Sequence, residues 1–138
     1  MTVHSAQARP VRVVVVDDED SVRAAIVTLL EHHGGFLVVA DASDGAYAPD
    51  LVRRLAPDVV LLDLRMPVVG GIDAVQLIRK ADPRVRTVML SAYGDQALIR
   101  DALSAGAFDY LVKGCSAGEL FDTLERAARA DAAGGLDG

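Results

Sequence analysis

Five polar side chains each stand directly after an apolar, β-branched run: Asp17 and Asp18 after Val13–Val16, Asp63 after Val59–Leu62, Ser91 after Val88–Leu90, and Lys113 after Leu111–Val112. Three carboxylates, a hydroxyl and an ammonium are the parts of a phosphoryl-transfer site. Carboxylates packed together repel one another unless a cation or protons compensate, and the hard cation suited to them is Mg²⁺, which takes about six oxygens and keeps several waters. The plainer alternative is that the acids are helix caps, with Asp18 or Asp20 capping the helix that follows. Asp63 ends the most apolar run and precedes the loop Leu64, Arg65, Met66, Pro67. A carboxylate so placed can attack phosphorus to give an acyl phosphate. Lys113 would neutralise incoming phosphoryl oxygens and Ser91 would donate a hydrogen bond to them.

These groups need a scaffold that gathers strand ends. Strand-like and helix-like segments alternate five times, the pattern of βαβ units on a parallel sheet. The expected order is β1 (12–16), α1 (20–32), β2 (36–41), α2 (46–55), β3 (58–62), α3 (72–80), β4 (87–90), α4 (95–104), β5 (109–112) and α5 (117–130). Gly34 with Gly35, Pro57, Pro83 and Gly106 punctuate the helix ends, Gly70 with Gly71 serves the turn into α3, and Ser116 with Glu119 reads as a capping box. Pro49 is tolerated only in a first helical turn, so α2 is expected to be short or late-starting. Apolar stripes over Val22, Ile26, Leu29 and Leu30 in α1, and Leu120, Phe121, Leu124 and Ala128 in α5, must lie against the sheet. In open α/β sheets ligands bind beyond the carboxyl ends of the strands, so one pocket can hold all five side chains.

Composition narrows the classes. A chain of 138 residues fits one domain, and its apolar runs of four or five residues fall far short of a bilayer span of about 20. Residues 1–10 read as a loose leader without the features of a secretion signal, 11–130 as the domain, and 131–138 (DAAGGLDG) as a linker. One cysteine, Cys115, excludes a disulfide framework and fits the cytoplasm. The net charge of −6, without a basic run, argues against direct nucleic-acid or membrane binding by this segment.

With VVVVDDED (13–20), DVVLLDLRMP (58–67), VMLSAY (88–93) and AGAFDYLVKG (105–114), the chain resembles the receiver domain of a two-component response regulator. The separations of 45 residues from Asp18 to Asp63, 28 to Ser91 and 22 to Lys113 also resemble that family, over about residues 11–130. The resemblance implies a flavodoxin-like (βα)5 fold, a doubly wound five-stranded parallel sheet of order 2-1-3-4-5. It implies Asp63 as the phosphoacceptor for a sensor histidine kinase, and Mg²⁺ held by Asp17, Asp18, Asp63 and the backbone carbonyl of Arg65. It assigns Ser91, Lys113 and Tyr110 to catalysis and switching, with the α4-β5-α5 face remodelled as populations shift. Tyr110 could also be simply a half-buried strand aromatic.

Where many receivers have proline after the lysine, this chain has Gly114 and Cys115, which resembles the NarL/FixJ subfamily with its LuxR-type DNA-binding domain. The expected output is therefore transcription through a phosphorylation-linked homodimer and a C-terminal domain outside this chain, with a stand-alone or phosphorelay receiver as the alternative. Arg65 and Tyr93, two residues past Asp63 and Ser91, are expected to shield the acyl phosphate and slow its hydrolysis. A Mg-dependent phosphohydrolase would place an acid where Arg65 stands, and a nucleotide-binding module would need a glycine-rich loop where Asp17–Asp20 is acidic. Catalysis confined to the chain's own phosphorylation and dephosphorylation is the expectation. His32 and His33 favour the C-terminal end of α1, Arg53 and Arg54 read as a solvated face, and nearby Lys113 is expected to lower the Cys115 pKa.

Overall fold

The structure, a computed structural model, describes residues 9–130. The leader and linker segments fall outside these residues, apart from Arg9 and Pro10. The elements are β1 (Val11–Val16), α1 (Asp20–His33), β2 (Phe36–Ala42), a 3-10 turn (Gly45–Tyr47), α2 (Ala48–Leu55), β3 (Val59–Asp63), α3 (Gly71–Ala81), β4 (Arg86–Ser91), α4 (Gln96–Ala105), β5 (Asp109–Val112) and α5 (Ala117–Arg129). All strand pairs are parallel and the order is β2-β1-β3-β4-β5, the flavodoxin-like arrangement.

The two-residue period of the central strands divides their side chains between two cores. Val13, Val15, Val59, Leu61, Val88 and Leu90 pack with Leu30 of α1 and Leu120, Leu124 and Ala127 of α5. Val14, Val16, Val60, Leu62 and Met89 pack on the other face with Val52, Ala74, Val75, Ile78 and Ala102 of α2, α3 and α4. β1, β3 and β4 are therefore apolar on both faces, as parallel strands between helix layers must be. At the β2 edge the register slips between Val13 and Val14, so that Val39 is bulged out between Val38 and Ala40.

Several boundaries differ from the sequence expectation. Asp63 and Ser91 are the last residues of strands, which fixes their backbones more firmly than loops would. The expected helix over 46–55 is a 3-10 turn followed by eight α-helical residues, with Pro49 in the first turn where its missing N–H costs nothing. Ala56 closes α2 in the left-handed region at φ 47°, its N–H bonded to the Val52 carbonyl. Gly34 and Gly106 close α1 and α4 in the same left-handed region, and the Ser116/Glu119 capping box is formed. On α5 the buried stripe runs through Leu120, Thr123, Leu124 and Ala127, with Phe121 partly buried against the same core, and on α1 Leu29 is exposed while Leu30 is buried. No described helix is long and apolar enough to cross a membrane.

Candidate functional site

Strand pairing assembles the site. Val16 pairs with Leu62, which sets Asp17 beside Asp63; Asp63 pairs with Leu90 and Ser91 with Val112, which brings the β4 and β5 ends alongside. Asp17, Asp18 and Asp63 each offer a carboxylate oxygen, and these three oxygens lie within 4.8 Å of one another. The Lys113 ammonium stands 3.3 Å from Asp63 Oδ2, 3.8 Å from Asp17 Oδ2 and 3.2 Å from Glu19 Oε1. Backbone donors hold the acids from behind: the Glu19 N–H donates to Asp17 Oδ1 at 2.8 Å and the Arg65 N–H to Asp63 Oδ1 at 3.2 Å.

Burial sets the electrostatics. Asp63 is 3% exposed, and its carboxyl is pushed up to about 6, first by desolvation and then by the charge of Asp17, against the Arg65 N–H and Lys113. Asp17 is raised by burial for the same reason. Burial alone would lower the Lys113 ammonium, but the Glu19 hydrogen bond and the charges of Asp63 and Asp17 together raise it. The fully buried Asp17 Oδ2 has no hydrogen-bond partner. An all-oxygen set with one orphaned carboxylate oxygen fits a hard divalent cation such as Mg²⁺.

The remaining expected residues are less tightly drawn in. Ser91 is buried at the same sheet end, but its hydroxyl donates to the Leu111 carbonyl at 3.3 Å. Tyr110 on β5 is 40% exposed and Tyr93 is 94% exposed. Arg65 does not cover Asp63: its Nη2 and Nε donate to Asp95 Oδ1 at 2.9 and 3.2 Å. Neither Asp18 nor Asp20 caps α1, whose N-cap is Glu19 without a side-chain cap bond. The Cys115 thiol is raised, not lowered, by burial and then by Glu119; Lys113 spends its charge on the acids instead. His33 accepts the Gly35 N–H on Nδ1 and packs its ring against Phe36 and Phe121. Of Gly70 and Gly71, only the second needs to be glycine. A Cβ at Gly71 would meet Leu64 Cα at 2.8 Å and the Asp63 carbonyl at 2.9 Å, whereas Gly70 has open space.

Three participants escaped the sequence reading. Glu19 shares Lys113 with the acids. Arg23 donates to the Asp17 carbonyl at 2.6 Å and pairs with Asp20 and Asp41, tying the acidic turn to α1 and β2. Buried Asp44 accepts from Ala46, Val68 and Val69 N–H groups and so pins the loop that follows Asp63. Asp44 before Gly45 was legible as a turn cap, but its reach to Val68 and Val69 was not.

The family profile described as "Response regulator receiver domain" matches residues 13–125. The chain is 37% identical over 126 residues to the transcriptional regulatory protein LnrK of Bacillus subtilis, a match that covers 91% of this chain and 56% of LnrK. It is 36% identical over 115 residues to the chemotaxis protein CheY of the same organism, covering 83% of this chain and 95% of CheY. The chain thus spans about half of LnrK and nearly all of CheY. The signal receiver domain of a putative response regulator NarL from Mycobacterium tuberculosis superposes with a TM-score of 0.84 at 34% identity, covering 89% of this chain and 99% of that one.

Proposed function

The chain belongs to the response regulator receiver domain family, and on that premise we propose that Asp63 accepts a phosphoryl group from a phosphohistidine of a sensor histidine kinase. Receiver domains are signalling switches rather than turnover enzymes. The observation that carries the assignment is the buried Asp63 carboxylate, 3.3 Å from Lys113 and inside the triad with Asp17 and Asp18.

In this reading an Asp63 oxygen forms a bond to phosphorus as the phosphorus–nitrogen bond breaks, and the electron pair stays on the departing imidazole. Lys113 meets the negative oxygens of the incoming group, and the Arg65 N–H fixes the carboxylate for attack. Ser91 turns its hydroxyl from the Leu111 carbonyl toward the phosphoryl oxygens, and Tyr110 follows inward from the β5 surface. Asp17, Asp18, Asp63 and the Arg65 carbonyl would hold Mg²⁺, which supplies charge neutralisation for the transferring phosphoryl oxygens. Because three acids face one lysine, that neutralisation is what the site lacks by itself.

Downstream, we infer control of transcription through a phosphorylation-linked homodimer and a DNA-binding domain outside this chain, acting in the cytoplasm. The name of LnrK and the Gly114–Cys115 sequence after the lysine support this output. The near-complete coverage of CheY supports a stand-alone receiver as the second reading. Intact mass after incubation with Mg²⁺ and a small acyl phosphate tests the core assignment. One phosphoryl group should be gained, lost in Asp63→Asn and abolished by a chelator; a gain that survives in Asp63→Asn would overturn it.

A further inference from the structure

Arg65 and Asp95 join the two loops that flank the pocket. Arg65 lies two residues past Asp63, its N–H already on that carboxylate, and its guanidinium grips Asp95 Oδ1 through two nitrogens. Asp95 is the N-cap residue of α4, a position where aspartate ordinarily accepts the N–H of the second or third helical residue. Here it makes no such bond: Oδ1 is occupied by Arg65, and Oδ2 accepts the Ala92 N–H at 3.0 Å, inside the loop that follows Ser91. Asp95 is buried although Arg65 is largely exposed. The first-turn donors of α4, Ala97 and Leu98, are left without a side-chain cap, and no acid stands in that turn.

We propose that Arg65 is a partner-switching residue: a phosphoryl group on Asp63 draws the guanidinium off Asp95, and the released Asp95 carboxylate caps α4. The proposal rests on Asp63 being the acceptor. Guanidinium prefers the bidentate, more highly charged phosphoryl oxygens to a single carboxylate oxygen, so the exchange is driven by a differential contact present only in the phosphorylated state. Asp95 exchanges one charged partner for helix N–H donors at the positive end of α4, so its burial does not leave it unpaired. One event thereby clamps the phosphoryl group and reorganises the N-terminus of α4. Arg65 touches the phosphoryl group directly, whereas Asp95 is a positioning residue.

The test uses beryllofluoride with Mg²⁺ as a stable phosphoryl mimic, amide hydrogen exchange at Ala97 and Leu98, and the lifetime of the phosphoryl group on protein treated with a small acyl phosphate. In the wild-type protein the mimic should raise protection of these amides by about fivefold, the size of a cap. In Arg65→Gln they should already be protected without the mimic, and the phosphoryl lifetime should fall severalfold. In Asp95→Ala the mimic should add no protection while the lifetime stays at the wild-type value, a split that mere loosening of the fold would not give. Unchanged exchange at Ala97 and Leu98 in a wild-type protein that binds the mimic, or an unchanged lifetime in Arg65→Gln, would overturn the exchange. If no protein takes a phosphoryl group or the mimic, the acceptor assignment falls first and the exchange falls with it.

Discussion

Asp63 carries the strain of its own site. A carboxyl that keeps its proton up to about pH 6 in the folded chain, against a reference value of 3.8, binds more protons folded than unfolded between those values. The contribution of this group to stability is therefore fullest below the unfolded pKa and is lost as pH rises through the folded one, a change on the order of 3 kcal/mol. Asp63→Asn removes the charge without changing the shape. The variant is expected to melt above the wild-type protein at pH 7.5 in metal-free buffer, with the two curves converging near pH 4. Equal melting temperatures at pH 7.5 would show that the buried charge is already fully compensated by Lys113 and the Arg65 N–H.

At the scale of elements, two small residues carry opposite constraints. Ala56 ends α2 at φ 47°, where a Cβ costs roughly 1–2 kcal/mol, so Ala56→Gly should relieve that strain. The added freedom of glycine in the unfolded chain offsets part of the gain, leaving about 1 kcal/mol in denaturant midpoints. Gly71 is the reverse case. The backbone atoms 2.8 and 2.9 Å from where its Cβ would stand belong to Leu64 and Asp63, so Gly71→Ala should both destabilise the domain by about 2 kcal/mol and slow acquisition of the phosphoryl group. Normal phosphorylation in Gly71→Ala would show that the loop absorbs a methyl without moving Asp63. The sequence announced the strands and acids because burial on both faces leaves unbroken Val and Leu runs, and polar groups after such runs have only one place to gather. It could not announce Ala56, whose residue type conceals its conformation, nor Asp44, Arg23 and Asp95, whose partners lie 25, 18 and 30 residues away and depend on how loops meet. The Cys115 expectation failed because it counted proximity to Lys113 along the chain and not the acids that claim that lysine.

For the molecule as a whole, the acid cluster ties metal binding to folding. The oxygens of Asp17, Asp18 and Asp63 come within 4.8 Å only when β1 and β3 are paired, so Mg²⁺ should bind the folded chain and not the unfolded one. At a hundredfold excess over its dissociation constant it should stabilise the fold by about 2.7 kcal/mol. Asp17→Asn should abolish most of that shift in melting temperature, and a shift retained in the variant would place the cation elsewhere. Light scattering with and without the phosphoryl mimic checks the proposed homodimer, and an unchanged mass would count against it.

The site also has an order of assembly written into the chain. Its acids are supplied by β1 and β3, while the Lys113 ammonium lies just past β5, tied back to β4 by the bond from the Lys113 N–H to the Ser91 carbonyl. Until β5 is in place, the three carboxylates have no lysine among them. Without it the cluster can attract a cation but lacks the ammonium that stands 3.3 Å from the Asp63 carboxylate. In the proposed reading, full competence to accept a phosphoryl group therefore waits on the last strand.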